Sequence, residues 1–293
     1  MIYGAKRILR YLLGTDIAGR TLAVYPDDTF IVSYPRSGNT WTRFLVANLL
    51  HPEEPATFAN IERLVPDSEA QSSRYLRRVS RPRVIKSHQH FDPRYRRVIY
   101  VVRDPRDVAL SYYDFERKYR HIDDAYPLQD YVSDFVCGRL SSAGWGTWGE
   151  NVGSWLSTRR GRKDFLLLRY EDMLANPALE VAKIAAFFGI DAERVRGAVE
   201  RSSVQRMRGL EKVQGKDWVS TKNKRSDIPF VGAAASGHWK SKLPADSIQE
   251  IESAWGPLLA ALGYELATAQ PECGELLQMF SSSVQRALSR KRI

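Results

Sequence analysis

The chain has 293 residues, 43% of them hydrophobic, and carries 44 Lys and Arg against 34 Asp and Glu, a formal net charge of +10. That length suits one large α/β domain or two small ones. The charge favours polyanions such as nucleic acid, anionic lipid or a nucleotide with several phosphates, although a solvated basic surface has the same composition. Cys137 and Cys273 stand far apart without CxxC spacing, which suggests neither a disulfide framework nor a zinc site and fits a reducing compartment. Lys6, Arg7 and Arg10 interrupt the apolar residues of the N-terminus, leaving no signal-peptide core and nothing near the ~20 apolar residues of a membrane span. A soluble, cytoplasmic protein is expected.

Apolar, β-branched runs bounded by turn residues alternate with helical patterns. Thr29–Tyr34 reads as a strand and Thr40–Leu50 as a helix burying Trp41, Leu45 and Leu49. Val84–Lys86 and Val98–Val102 read as strands, and Asp104–Arg117 as the helix after the second. Asp164–Leu168 is a further strand, followed by a helix over Pro177–Phe188 with Asn176 as its N-cap. Later helices are expected at Asp191–Glu200 and Ala245–Leu262. This order predicts a single α/β domain over residues 28–265, with a central parallel sheet flanked by helices and ligands bound beyond the carboxyl ends of the strands. Residues 1–27 form an N-terminal extension and residues 266–293 a tail. In the tail Leu276, Phe280, Val284 and Leu288 recur every four residues before Arg290, Lys291 and Arg292. This amphipathic basic helix is read first as packing on the domain and second as contacting anionic membrane. Lys6–Leu13 raises the same pair of options.

Tyr34-Pro35-Arg36-Ser37-Gly38-Asn39-Thr40-Trp41 follows the first strand. Pro35 ends the strand, Gly38 permits a tight turn with exposed amides, and Thr40 begins the helix, so cation, hydroxyls and free N–H groups gather at an anion site. The nucleotide-hydrolase loop GxxxxGK[ST] is absent, and a tight turn that binds nothing is the ordinary alternative. The run SYPRSGNTW resembles the 5′-phosphosulfate loop of the cytosolic sulfotransferase family, usually TYPKSGTTW. The resemblance implies a P-loop-NTPase-like sulfotransferase architecture. It also implies that Arg36, Ser37, Gly38, Asn39 and Thr40 surround the 5′-phosphate and sulfuryl oxygens, with Trp41 stacked on adenine. Arg36 stands where the family most often has Lys, and a guanidinium preserves oxyanion binding.

The strand RVIYVV leads directly into Arg103-Asp104-Pro105-Arg106-Asp107-Val108-Ala109-Leu110-Ser111. Asp104 and Pro105 suit an N-cap and first helical position. Arg103 and Ser111 offer a fork and a hydroxyl to a terminal phosphate, unless Arg103 merely pairs with Asp104 or Asp107. VVRDPRDVALSYY is similar to the family's 3′-phosphate motif, in which this Arg and this Ser hold that phosphate.

Between the two motifs lies Ile85-Lys86-Ser87-His88-Gln89-His90. Sulfuryl transfer, like phosphoryl transfer, needs a base for the acceptor proton and cations across the group in flight. His88 and His90 both fit the first role, and Lys86, two residues before His88, shares charge stabilisation with Arg36. The stretch resembles the family's KTHLP segment, which selects His88 as catalytic base. Tyr170 in LRYEDM resembles a family tyrosine at the adenine end. Gly146–Trp155 resembles GSWFEHVxxW with Asn151 in place of His, its tryptophans read as packing, and Val204 replaces an adenine-stacking Phe.

The main departure is near Gly237-His238-Trp239-Lys240. It matches the end of the family's RKGxxGDWK, but Gly232, Ala233 and Ala234 occupy the Arg-Lys-Gly positions, so two cationic contacts to the 3′-phosphate are missing. Lys222, Lys224 and Arg225 are the sequence candidates to replace them. The family's dimer motif is not found.

The expectation is therefore a sulfotransferase using 3′-phosphoadenosine 5′-phosphosulfate (PAPS), with 3′,5′-ADP as product, a small-molecule hydroxyl or amine as acceptor, no metal and no nucleic acid. Two alternatives stand beside it: a non-catalytic relative binding nucleic acid or anionic lipid, and a nucleotide kinase.

Overall fold

The computed structural model describes residues 16–140, 144–232 and 234–267. The amphipathic tail after residue 267 and the Lys6–Leu13 stretch lie outside the described residues. Among those described, β1 (Thr29–Ser33), β2 (Val84–Ser87), β3 (Arg97–Val102) and β4 (Phe165–Arg169) form one sheet in the order β2-β1-β3-β4. Every pairing is parallel, with Phe30 opposite Ile85, Val32 opposite Tyr100 and Val101 opposite Leu168.

Side chains alternate across a strand, so each strand feeds both faces. Phe30 and Val32 of β1, with Val98, Tyr100 and Val102 of β3, enter one core. Ile31 of β1, with Ile99 and Val101 of β3, enters the other. The first core is closed by helices α4 (Pro105–Tyr119), α5 (Leu128–Val136), α6 (Trp148–Arg159) and α12 (Ala245–Ala261), and the second by α1 (Asn39–Leu50), α8 (Pro177–Phe188) and α9 (Glu193–Arg201). A strand wet on neither face has no need for polar alternation, which is why these strands read as unbroken apolar runs. Ala18 and Leu22, within the N-terminal extension, pack into the first core.

Local signals set the helix starts. Asp104 caps α4 by accepting from the Arg106 amide with Pro105 behind it, and Asn176 caps α8 from the Leu179 amide with Pro177 at its first position. Gly189, at φ 71°, ends α8. Thr147 and Glu150 form a capping box on α6. Arg106 is fully buried and bridges Asp104 to Glu252 of α12, which fixes the first turn of α4 against the body of the domain. Short helices α2 (Ile61–Leu64), α3 (Ser73–Leu76), α7 (Tyr170–Ala175), α10 (Val204–Gln214) and α11 (Trp239–Lys242) complete the described chain.

Each strand ends at the same edge of the sheet and delivers one segment there: Tyr34–Gly38 from β1, His88 from β2, Arg103 from β3 and Tyr170 from β4.

Candidate active site

After β1 the chain turns sharply. Arg36 has φ 67° and Gly38 φ 96°, both left-handed. A Cβ on Gly38 would lie 2.5 Å from the Tyr170 ring, so glycine is required by backbone and by packing alike. Ser37 is fully buried and its Oγ has no partner in the fold. Asn39 spends its side-chain N–H groups on Ile31 O, Ser33 Oγ and Ser87 O, stapling the loop to β1 and β2. Asn39 also lines the cavity, and its Oδ1 is buried without a partner. Thr40 and Trp41 line the cavity above. Trp41 is half-buried rather than a core residue: its Nε1 donates to Ser202 O at 2.9 Å and its ring meets Tyr170 edge-on at 6.0 Å.

The second motif reaches the same cavity. Arg36 Nε donates to Ser111 Oγ at 3.2 Å, and its guanidinium lies 5.1 Å from the rings of both Phe115 and Phe230. Burial, and after it the charge of Arg103, lowers the Arg36 pKa, but from so high a start that the group stays cationic. Arg103 donates to Arg36 O and Ala235 O at 3.2 Å each and lies 4.4 Å over the Tyr170 ring, while its Nε is buried without a partner. It does not pair with Asp104 or Asp107. Asp104 is held by Arg106, and Asp107 accepts from the Gly237 and Trp239 amides.

At the end of β2, His88 Nδ1 lies 2.8 Å from Ser33 O. A carbonyl only accepts, so Nδ1 carries the proton and Nε2 keeps a free lone pair. Part of the ring opens to the cavity, yet burial, followed by the Lys86 charge, pushes its pKa down to about 3. The imidazole is neutral at physiological pH. Asn151 donates from Nδ2 to His88 O and Trp145 O at 2.9 Å each and accepts from Tyr100 OH. Trp155 Nε1 donates to Gln89 O and Trp148 Nε1 to Arg103 O, so the buried tryptophans also hold the strand-end segments. His90 is tied through its backbone N–H to Gly144 O.

Two acidic residues at this site carried no sequence signal. Glu69 accepts from Lys86 Nζ, Ser87 Oγ, the His88 amide and Gln89 Nε2 at 3.1, 3.2, 2.9 and 3.4 Å. Asp67 lies 3.0 Å from the same ammonium. Burial works against the Lys86 charge, but Asp67 and Glu69 outweigh it and raise its pKa. Lys86, expected to share the stabilising role with Arg36, is thus held by two carboxylates. The segment before it runs beside β2, with Ser68 donating to Lys86 O and Lys86 to Pro66 O, which brings Asp67 and Glu69 to the strand end.

Arg36, Gly38, Thr40, Lys86, His88, Arg103 and Ser111 line one cavity of about 460 Å³, whereas Ser37, fully buried, does not. Tyr170, Trp41, Val204 and Met207 form an apolar wall, and Phe115, Tyr119, Trp145 and Phe230 another. The sequence candidates for the missing cations do not reach it. Arg225 is taken by Asp124 and Asp227, and Lys224 sits 4.4 Å over the Tyr119 ring. Lys222 is exposed and outside the cavity wall, because the turn at Trp218–Lys222 faces its side chain to solvent. No acidic, His and Cys cluster suited to a metal occurs among the described residues, nor any helix long and apolar enough to cross a membrane. The partnerless Arg103 Nε, the Gly38 turn and the paired aromatic walls fit a ring-bearing ligand with anionic groups at both ends.

A family model described as the sulfotransferase domain matches residues 26–263. Sulfotransferase 1B1 of Canis lupus familiaris is 28% identical over 234 residues, covering 74% of this chain and 78% of the relative. Sulfotransferase 1B1 of Mus musculus is 25% identical over 290 residues, covering 92% and 94%. Among solved structures, mouse sulfotransferase SULT7A1 complexed with PAP superposes with a TM-score of 0.65 at 19% identity, covering 91% of this chain and 92% of that one. Retinol dehydratase in a complex with retinol and PAP gives 0.70 at 20%, covering 89% and 88%. At these identities the structural likeness speaks for the fold.

Proposed function

The chain belongs to the sulfotransferase family, and on that premise we propose that it moves the sulfuryl group of PAPS to a hydroxyl or amine of a small, largely apolar acceptor, with His88 as general base. Residues 28–265 form the catalytic domain of this cytoplasmic enzyme. The observation that carries the reading is the 3.2 Å bond from Arg36 to Ser111, which joins the two anion-binding motifs at one cavity.

Arg36, Ser37 and the amides around Gly38 and Thr40 would hold the 5′-phosphosulfate, Arg103 and Ser111 the 3′-phosphate, and Trp41 and Tyr170 the adenine. When bound, PAPS supplies an electrophilic sulfur and a phosphate leaving group. His88 Nε2 takes the acceptor proton, since Ser33 O keeps the other nitrogen protonated. A pKa of about 3 leaves the ring deprotonated but weakly basic, and an incoming polyanion raises it toward the range where proton transfer is efficient. Arg36 would stabilise the charge that develops on the transferring oxygens. Lys86 is paired with Asp67 and Glu69 and would act on the group in flight only by leaving those contacts. Phe115, Tyr119, Trp145 and Phe230 favour an aromatic or otherwise apolar acceptor.

The test is transfer of label from PAPS to a panel of phenols, alcohols and amines. Product on any of them, dependent on His88, supports the reading. No transfer together with no binding of 3′,5′-ADP overturns it. Stabilisation by ATP with Mg²⁺ but not by 3′,5′-ADP would point to a kinase instead.

A further inference from the structure

We propose that His238 and Lys242, on the single turn of α11, replace the absent Arg-Lys pair as the second clamp on the 3′-phosphate. The inference rests on the nucleotide reading above. Beside Arg103 the cavity is walled by Gly232, Ala234 and Ala235, none of which carries a side-chain donor. A phosphate of roughly two negative charges is poorly matched by Arg103 and a serine hydroxyl alone.

α11 is fixed next to that gap. The Asp107 carboxylate accepts from the Gly237 amide at 2.6 Å and the Trp239 amide at 3.1 Å, bolting the turn to α4. The buried Trp239 ring lies 3.6 Å from the Arg106 guanidinium, and Arg103 reaches the same segment through Ala235 O. His238 and Lys242 are four residues apart, so they share one face of the turn, and both line the cavity with Arg103 and Ser111. Lys240, between them, faces away and pairs with Glu265 at 2.7 Å. Lys242 makes no ion pair among the described residues, and His238 Nε2 is buried without a hydrogen-bond partner. A cation without a counter-ion and a ring nitrogen without a hydrogen-bond partner thus stand together at the end of the cavity where charge compensation is short.

The decisive experiment is calorimetric titration of the full chain with 3′,5′-ADP and with 5′-AMP, which lacks only the 3′-phosphate. Lys242→Ala should weaken 3′,5′-ADP roughly tenfold or more while leaving 5′-AMP within about twofold, and Lys242→Arg should restore binding. His238→Gln, which cannot present the ring nitrogen at the same point, should weaken 3′,5′-ADP selectively. Unchanged 3′,5′-ADP binding in both variants, or equal losses for the two nucleotides, would overturn the clamp while leaving the nucleotide site standing. A wild-type chain that binds no 3′,5′-ADP would overturn the nucleotide reading itself, and the clamp with it.

Discussion

Arg36 donates through Nε to Ser111 Oγ at 3.2 Å although 75 positions separate them in the chain. The contact exists because β1 and β3 are parallel neighbours whose carboxyl ends open side by side, so the loop after one faces the helix after the other. The guanidinium also lies between Phe115 of α4 and Phe230 of the segment that crosses the cavity.

Arg36→Ala should therefore lower kcat/KM by about 10²–10³-fold, the usual cost of removing one donor to a transition-state oxyanion. Arg36→Lys should keep most of that activity but lose the planar contact with the two rings. Steady-state kinetics with PAPS as the varied substrate checks both. Activity in Arg36→Ala within about threefold of wild type would remove Arg36 from the transition state.

His88→Ala should cost about 10²–10⁴-fold in kcat while leaving 3′,5′-ADP binding intact. The pH profile has a definite sign. A free-enzyme pKa of about 3 keeps His88 deprotonated down to mildly acidic pH, so kcat/KM should not fall between pH 7.5 and 5.5 on account of the base. An ordinary exposed histidine would bring an acid limb near its unperturbed value of about 6.5. A limb there, abolished by His88→Gln, would contradict the burial argument.

The same shift affects stability. Between about 3 and the ordinary histidine value of about 6.5 the unfolded chain holds a proton on this residue and the fold does not, so the contribution of His88 falls as pH drops through that window. The Tm difference between wild type and His88→Gln should move in favour of the variant on acidification from pH 7 to pH 5. Differential scanning calorimetry at the two values decides it.

Glu69→Gln should uncouple the end of β2. It leaves the buried Lys86 ammonium with Asp67 alone and weakens the contacts to Ser87, His88 and Gln89, a cost of roughly 1–3 kcal/mol in stability. Because the affected atoms position the base, kcat should fall more than the KM for PAPS rises. An unchanged kcat with a lowered Tm would make Glu69 structural only.

Gly38→Ala places a side chain at φ 96° and against the Tyr170 ring. Strain of about 1–3 kcal/mol and loss of 3′,5′-ADP binding should appear together in thermal-shift measurements.

The strands and the anion motifs were legible because both are local: a doubly buried strand is a short apolar run, and the loop after it is punctuated by Pro35, Gly38 or Asp104-Pro105. Asp67 and Glu69 were not legible, since they reach Lys86 only through a segment laid beside β2, and nothing in their own neighbourhood marks them. Asn151 was visible as a departure from a familiar pattern, but its bond to His88 O depends on where α6 packs. Lys222, Lys224 and Arg225 are basic and near in sequence to the missing pair, but whether a nearby cation faces the site depends on a distant anchor: α11 is held there by Asp107, 130 positions before Gly237.

The central claim is that one nucleotide spans both anion sites, and the structure of the chain crystallised with 3′,5′-ADP tests it most directly. The account predicts one molecule with its 5′-phosphate at the Gly38 turn and its 3′-phosphate at Arg103 and Ser111. A nucleotide bound elsewhere, or one that engages only one of the two sites, would contradict it.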